Sequence, residues 1–233
     1  IINLADFKIT TLIEDQLSVK KMAFDHNGRQ LSFLTSMDTA ETKNYELQYW
    51  KMGMHNSKMV VNADTKGMPK GWTVSQHFRV YFSRDGEKIF FGTNEILEEE
   101  PEDTLLDEEK AKVDIWHYQD GRVQPEQLKS VKRDQNKGYK AVYHISSSKF
   151  IQLADEKMET VRTFNFNNAH FGLGSNNDQW DKERSWMFPW RSDYFFFFFD
   201  NNKKEVINEG VFMLRGISSS VVFFVLCYSK DCL

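Results

Sequence analysis

Cysteine is nearly missing from this chain of 233 residues: Cys227 and Cys232 are the only two. Four residues separate them and no histidine is nearby, so they make half a metal site at most. A buried strand thiol and a free turn thiol are expected, with a local disulfide left open for an oxidising compartment. Proline is scarce too, and Pro69, Pro101, Pro125 and Pro189 all fall between apolar runs, where a missing amide donor costs no ladder hydrogen bond. No apolar run approaches the roughly 20 residues of a membrane-spanning helix; the longest candidate, Val221 to Cys227, is strand-sized. The formal net charge of −4 lacks the basic excess that phosphate backbones call for, so no nucleic-acid partner is expected. The chain opens at Ile1 without methionine or a recognisable signal peptide, and a targeting segment is expected to have been removed or never included.

Aromatic residues are what the chain has in excess, with twenty Phe, eight Tyr and six Trp. They favour strands and fill cores between sheets, which points to an all-β fold. The stretch Phe82-Ser83-Arg84-Asp85-Gly86-Glu87-Lys88-Ile89-Phe90-Phe91 reads as a hairpin whose Asp-Gly turn needs positive φ at glycine. It recurs in register: Phe24 matches Phe82, Gly28 matches Gly86, Leu31 matches Ile89 and Phe33 matches Phe91. A third copy runs from Phe164 to Leu173 with Asn168 in the place of glycine, and a fourth from Ile217 to Leu226 puts Val221 there. Gly172 and Gly174 in the third copy predict close approach by another backbone or an aromatic ring.

Phe24, Phe82, Phe164 and Ile217 are spaced by about 58, 82 and 53 residues. Repeats of roughly 40 to 50 residues with four strands each signal propeller blades, and insertions lengthen the unit. The expected fold is a single partial β-propeller domain over 1–233, with blade-like units at about 18–62, 77–156 and 161–209 and a partial unit at 211–233. Tyr45–Trp50 and Lys58–Asn62 complete a first meander. Val113–Tyr118 reads as a strand, Gln124–Arg133 as a short helix, Tyr139–Ile145 with Lys149–Leu153 as a hairpin, and Tyr194–Phe199 as a strand buried on both faces. A β-sandwich also has short strands, but repetition of one hairpin in register argues against it.

Chemistry is harder to find. Gly216-Ile217-Ser218-Ser219-Ser220 lacks the second glycine of a nucleophile elbow and runs into a strand. His26, His55, His77, His117, His144 and His170 show no metal-type spacing; His26 and His170 fall at turns, His117 and His144 in strands. No phosphate-binding loop leads from a strand into a helix. No catalytic, cofactor or metal residue is assigned. Glu95 to Lys110 carries nine acidic residues, read first as a solvated insertion. Its alternative role is contact with a basic partner through Glu98, Glu99, Glu100, Glu102 and Asp103.

Taken together, the Phe82–Gly92 hairpin, the acidic insertion, Val113–Tyr118, Gln124-Pro125-Glu126-Gln127-Leu128 and Tyr139–His144 resemble the propeller portion of prolyl-oligopeptidase-like serine peptidases, especially large bacterial members. The resemblance covers about Val19 to Asp231 and is most specific from Glu98 to Leu153. It implies a propeller that gates peptide access to, and docks against, an α/β-hydrolase domain carrying the Ser-Asp-His triad. That domain is absent from this chain, so no catalytic residue is carried over and no cofactor is implied. The implied partners are the hydrolase domain, the remaining blades and a peptide substrate, and the implied location is extracytoplasmic. The alternative is a stand-alone propeller-like binding module whose acidic loop holds a basic protein.

Overall fold

The computed structural model describes residues 1–2, 7, 9–14, 17–39, 42–96, 116–164, 167–188, 190–200, 203–211, 213–217 and 224–227. Among them the chain is built from successive antiparallel sheets. The first orders β1 (Ser18–Phe24), β2 (Gln30–Ser36), β3 (Glu46–Lys51) and β4 (Lys58–Val61) as a simple meander. The second contains β5 (Trp72–Val74), β6 (Tyr81–Phe82), β7 (Lys88–Glu95), β8 (Tyr139–His144) and β9 (Lys149–Gln152). Its first strand is split: β5 pairs with one end of β7 and β6 with the other. Trp72, directly after the Gly- and Pro-containing stretch Lys66-Gly67-Met68-Pro69-Lys70-Gly71, opens a strand. The third sheet is again a meander of β10 (Thr160–Thr163), β11 (Phe171–Asn176), β12 (Ser192–Phe198) and β13 (Lys203–Val211). A two-stranded pair, β14 (Met213–Ile217) and β15 (Phe224–Cys227), follows. The fold is an all-β propeller segment of about three four-stranded blades plus flanking strands, as the repeats predict.

Helix α1 (Gln124–Gln135) lies between β7 and β8. Pro125 near its start, Glu126 in the first turn and Lys132 and Arg133 in the last suit the helix dipole. The predicted strand Val113–Tyr118 is corrected in its described part, where Trp116 and His117 are irregular and Tyr118 enters a turn. Both edges of β7 are already taken, by β5 and β6 on one side and β8 on the other, so Trp116–Tyr118 cannot extend its ladder.

Period-two alternation explains why the second sheet is the keystone. On β7, Ile89 and Phe91 face the first sheet while Phe90 faces the third. On β8, Ala141 and Tyr143 go one way and Val142 the other; on β9, Phe150 and Ile151 divide likewise. Leu34, Leu47, Tyr49 and Val61 supply the first sheet's half of one core. Val161, Phe197 and Phe199 supply the third sheet's half of the other. Burying each such side chain is worth about 1.5–3 kcal/mol, so the middle blade draws its stability from both neighbours.

Polar clasps reinforce the stack. Asp25 and Ser83, equivalent in the repeat, each accept from the amide that closes their own turn, Gln30 N to Asp25 Oδ1 at 2.7 Å and Lys88 N to Ser83 Oγ at 2.9 Å. Gly28 and Gly86 take φ of +67° and +74° between them. The third turn departs from expectation: Asn167, not Asn168, holds the positive φ, at +68°. Asn168 instead faces the second blade, its side-chain oxygen accepting from Asp85 N at 3.1 Å and its carbonyl from Lys88 Nζ at 2.9 Å. Gly172 meets the predicted close approach, since an added Cβ would lie 2.7 Å from the Arg162 carbonyl and 2.9 Å from Phe199 Cζ. Gly174 packs on Met158 rather than on a ring.

Of the Tyr194–Phe199 run, expected to be buried on both faces, Tyr194–Phe198 lies in β12 and Phe199 in the turn after it, and Tyr194, Phe195, Phe196 and Phe198 are only partly buried. Phe197 and Phe199 enter the core shared with the second sheet. Phe196 instead meets Phe171 edge-on at 6.2 Å on the far side.

Candidate functional site

A recess of about 310 Å³ lies between the opening strands of the first two sheets. Strand β1 pairs only with β2, so its other edge has no strand partner among the described residues. Along that edge the register slips between Lys20 and Ala23, and Lys21 adopts a φ of +54°. Such a bulge unpairs the extra residue and re-aims side chains. Here Met22 is left 70% exposed and Phe24 55% exposed.

The opposite wall is Arg79, Val80 and Tyr81, where the chain enters β6. Tyr81 stacks on Phe90 at 5.3 Å, and the Arg79 guanidinium carbon lies 6.0 Å from the Tyr81 ring centroid. Burial raises the Tyr81 phenol above its ordinary pKa, against the pull of a Thr163 hydrogen bond and of Arg79. Lys21, Met22, Ala23, Phe24, Arg79, Val80 and Tyr81 enclose about 310 Å³.

The electrostatics of this groove have one sign. Lys20 donates to the neutral amide of Gln76 at 2.5 Å and lies 5.4 Å over the Tyr45 ring. Among the described residues, no carboxylate forms a salt bridge with Lys20, Lys21 or Arg79. Nearby His77 has its pKa lowered, by burial first and then by Lys20 and Lys21. At the far end of β7 the field reverses. Tyr139 is pushed up to about 12 by burial and then by Glu159, Glu156, Glu95 and Asp155.

The arrangement suits binding, not bond-breaking. Two cations and five apolar or aromatic side chains line the groove, and no hydroxyl–imidazole or paired-carboxylate geometry does. Elsewhere, Gln179 Nε2, Trp180 Nε1 and Gly210 N converge on buried Asp193 at 2.5, 3.0 and 2.8 Å, which locks the 3-10 helix Asp178–Ser185 to β12 and β13. No group of three or more His, Cys, Asp or Glu among the described residues could hold a metal ion. No described helix is long and apolar enough to cross a membrane.

Glu98, Glu99, Glu100, Glu102 and Asp103 lie outside the described residues, as do Ser218, Ser219, Ser220, Val221 and Cys232. Cys227 ends β15. His26 and His170 sit at turns as expected, with the His170 ring 3.3 Å from the Asp200 carboxylate. His144 ends β8, whereas His117 is irregular rather than in a strand. The groove itself escaped the sequence reading. Its one signal is the Lys20-Lys21 doublet, which breaks the alternation of Val19 to Phe24 and marks the bulge.

No family model and no curated protein matches this chain. Among solved structures it is similar to TolB from Acinetobacter baumannii, with 8% identity and a TM-score of 0.35 over 90% of this chain and 37% of that one. It is also similar to an acylaminoacyl peptidase from Pyrococcus horikoshii, with 13% identity and a TM-score of 0.41 over 90% and 28%. The β-propeller domain of the Trilobed protease from Pyrococcus furiosus gives 8% identity and a TM-score of 0.36 over 82% and 41%. The chain thus spans about a quarter to two fifths of the length of these structures. Propeller domains of peptidases are among its structural neighbours.

Proposed function

We propose that this chain is a non-catalytic β-propeller segment of a prolyl-oligopeptidase-like serine peptidase, gating peptide access to an α/β-hydrolase domain and docking against it. The observation that supports this reading most is the middle blade, buried on both faces between two like blades, because that is the packing a substrate-screening ring requires. The resemblance from Glu98 to Leu153 supplies the peptidase. A basic, partly apolar groove with no catalytic geometry suits a part that admits or orients peptides.

The test has two arms. The 233-residue chain, incubated with chromogenic peptide and ester substrates, is expected to turn over neither; turnover abolished by Ser218→Ala overturns the reading. Translation of the gene past Leu233 is expected to show Gly-x-Ser-x-Gly followed by Asp and His. Closing blades and a stop codon there would instead make the chain a stand-alone binding module.

A further inference from the structure

We infer that the groove between β1 and β6 binds an acidic peptide segment in extended conformation, its carboxylates on Lys21 and Arg79 and its apolar side chains against Met22, Phe24 and Tyr81. Three features of the groove converge on this ligand. The first is charge: Lys21 and Arg79 line the same recess, and no described carboxylate forms a salt bridge with either. Beside it, the His77 pKa is lowered by burial first and then by Lys20 and Lys21, the latter two in keeping with the same positive charge. A cationic recess favours carboxylates over neutral side chains and repels basic ones.

The second feature is the outer edge of β1, which has no strand partner among the described residues. An extended peptide beside an unpartnered strand gains main-chain hydrogen bonds, while pockets for alternate side chains set specificity. A small inorganic anion could use the cations but not this edge. The third is the exposed apolar surface of Met22 and Phe24 next to the Tyr81 ring, which suits a ligand carrying apolar side chains between its charges. Period-two alternation in an extended peptide interleaves carboxylates with apolar groups, and each wall of the groove offers both, Lys21 beside Met22 and Phe24 on one and Arg79 beside Tyr81 on the other.

Lysines on an edge strand have a second use, since any charge there discourages edge-to-edge aggregation. Charge reversal separates the two roles, because glutamate protects an edge as well as lysine does. The assignment rests on the peptidase reading only for treating the peptide as a substrate. Binding is read without hydrolysis, so its failure and the failure of that reading are distinct results.

The experiment is fluorescence anisotropy on the 233-residue chain with a labelled peptide of alternating Glu and Phe, its Gln-for-Glu analogue and its Lys-for-Glu analogue. The acidic peptide is expected to bind about tenfold or more tightly than the Gln analogue, and more weakly as salt rises. Lys21→Glu and Arg79→Glu are each expected to cost about tenfold, with the double reversal turning preference to the Lys analogue and leaving the chain monodisperse. Circular dichroism checks folding, and Arg79→Gln carries the test if the bulge variant fails to fold. Equal affinity for the acidic and Gln peptides overturns the inference. So does binding indifferent to Arg79→Gln, or full displacement by equimolar inorganic phosphate, which would make this a small-anion site.

Discussion

Gln30 and Lys88 hold the same position in successive repeats, and each donates its terminal nitrogen to the backbone of the next unit's turn. Gln30 Nε2 reaches the Gly86 carbonyl at 3.1 Å, and Lys88 Nζ reaches the Asn168 carbonyl at 2.9 Å. Gly86 and Asn168 are themselves matched, so the clasp repeats from blade to blade although its chemistry changes from amide to ammonium. His170 holds the place in the third unit, and its ring meets Asp200 of its own sheet.

The first clasp is open to a direct stability test. Gln30 also accepts the Tyr49 hydroxyl at 2.5 Å, and Tyr49 is itself in the core between the first two sheets. Gln30→Leu strands both partners and is expected to cost about 1–3 kcal/mol, the usual penalty for leaving buried polar groups unpaired. Urea unfolding reads this as a lower midpoint at unchanged slope. A midpoint equal to wild type would show that the clasp contributes nothing.

The paired turn glycines make a matched comparison. Gly28→Ala and Gly86→Ala each put a Cβ at positive φ, worth about 1–2 kcal/mol. Around Gly28 there is open space, whereas a Cβ on Gly86 would lie 2.6 Å from Gln30 Nε2. Gly86→Ala is therefore the more damaging, and the excess is expected to vanish in a Gln30→Ala background. Additive losses in that double variant would contradict the coupling.

His144 gives the fold a pH dependence. It pairs with Lys88 across β7 and β8, and its pKa is lowered by burial first and then by Lys88, with Lys149 adding and Asp200 and the Phe199 backbone opposing. Above the unfolded-state pKa of about 6.5 both states are neutral and the stability is complete. Below it the unfolded chain takes the proton first, so stability falls as pH drops toward the folded value. Lys88→Met is expected to raise the His144 pKa in an NMR titration, and His144→Gln to flatten stability across this window. An unmoved titration would exclude Lys88 as a cause.

Packing predicts one more cost. A Cβ on Gly92 would lie 2.1 Å from Phe78 Cβ, in the loop joining the two pieces of the split strand. Gly92→Ala is expected to destabilise by about 1–3 kcal/mol through overpacking, and Phe78→Gly, which removes the Cβ that is met, to recover part of that loss. Thermal unfolding of the two single variants and the double settles it; no recovery would mean that the strain lies elsewhere.

The hairpin repeats, the all-β class, α1 and most strands were legible in the sequence, because alternation, turn residues and helix-end charges act over a few neighbours. Phe24, Phe82 and Phe164, with Gly28 and Gly86, were enough to announce blades. The split of the second blade's first strand was not legible, since β5 and β6 gain their meaning only from sharing β7. Nor was the move of positive φ from Asn168 to Asn167, which accompanies the contacts of Asn168 with Asp85 and Lys88 one blade away. The groove depended on tertiary structure most of all: Lys21 and Arg79 are far apart in the chain, and only the packing of one blade on the next places them on facing walls.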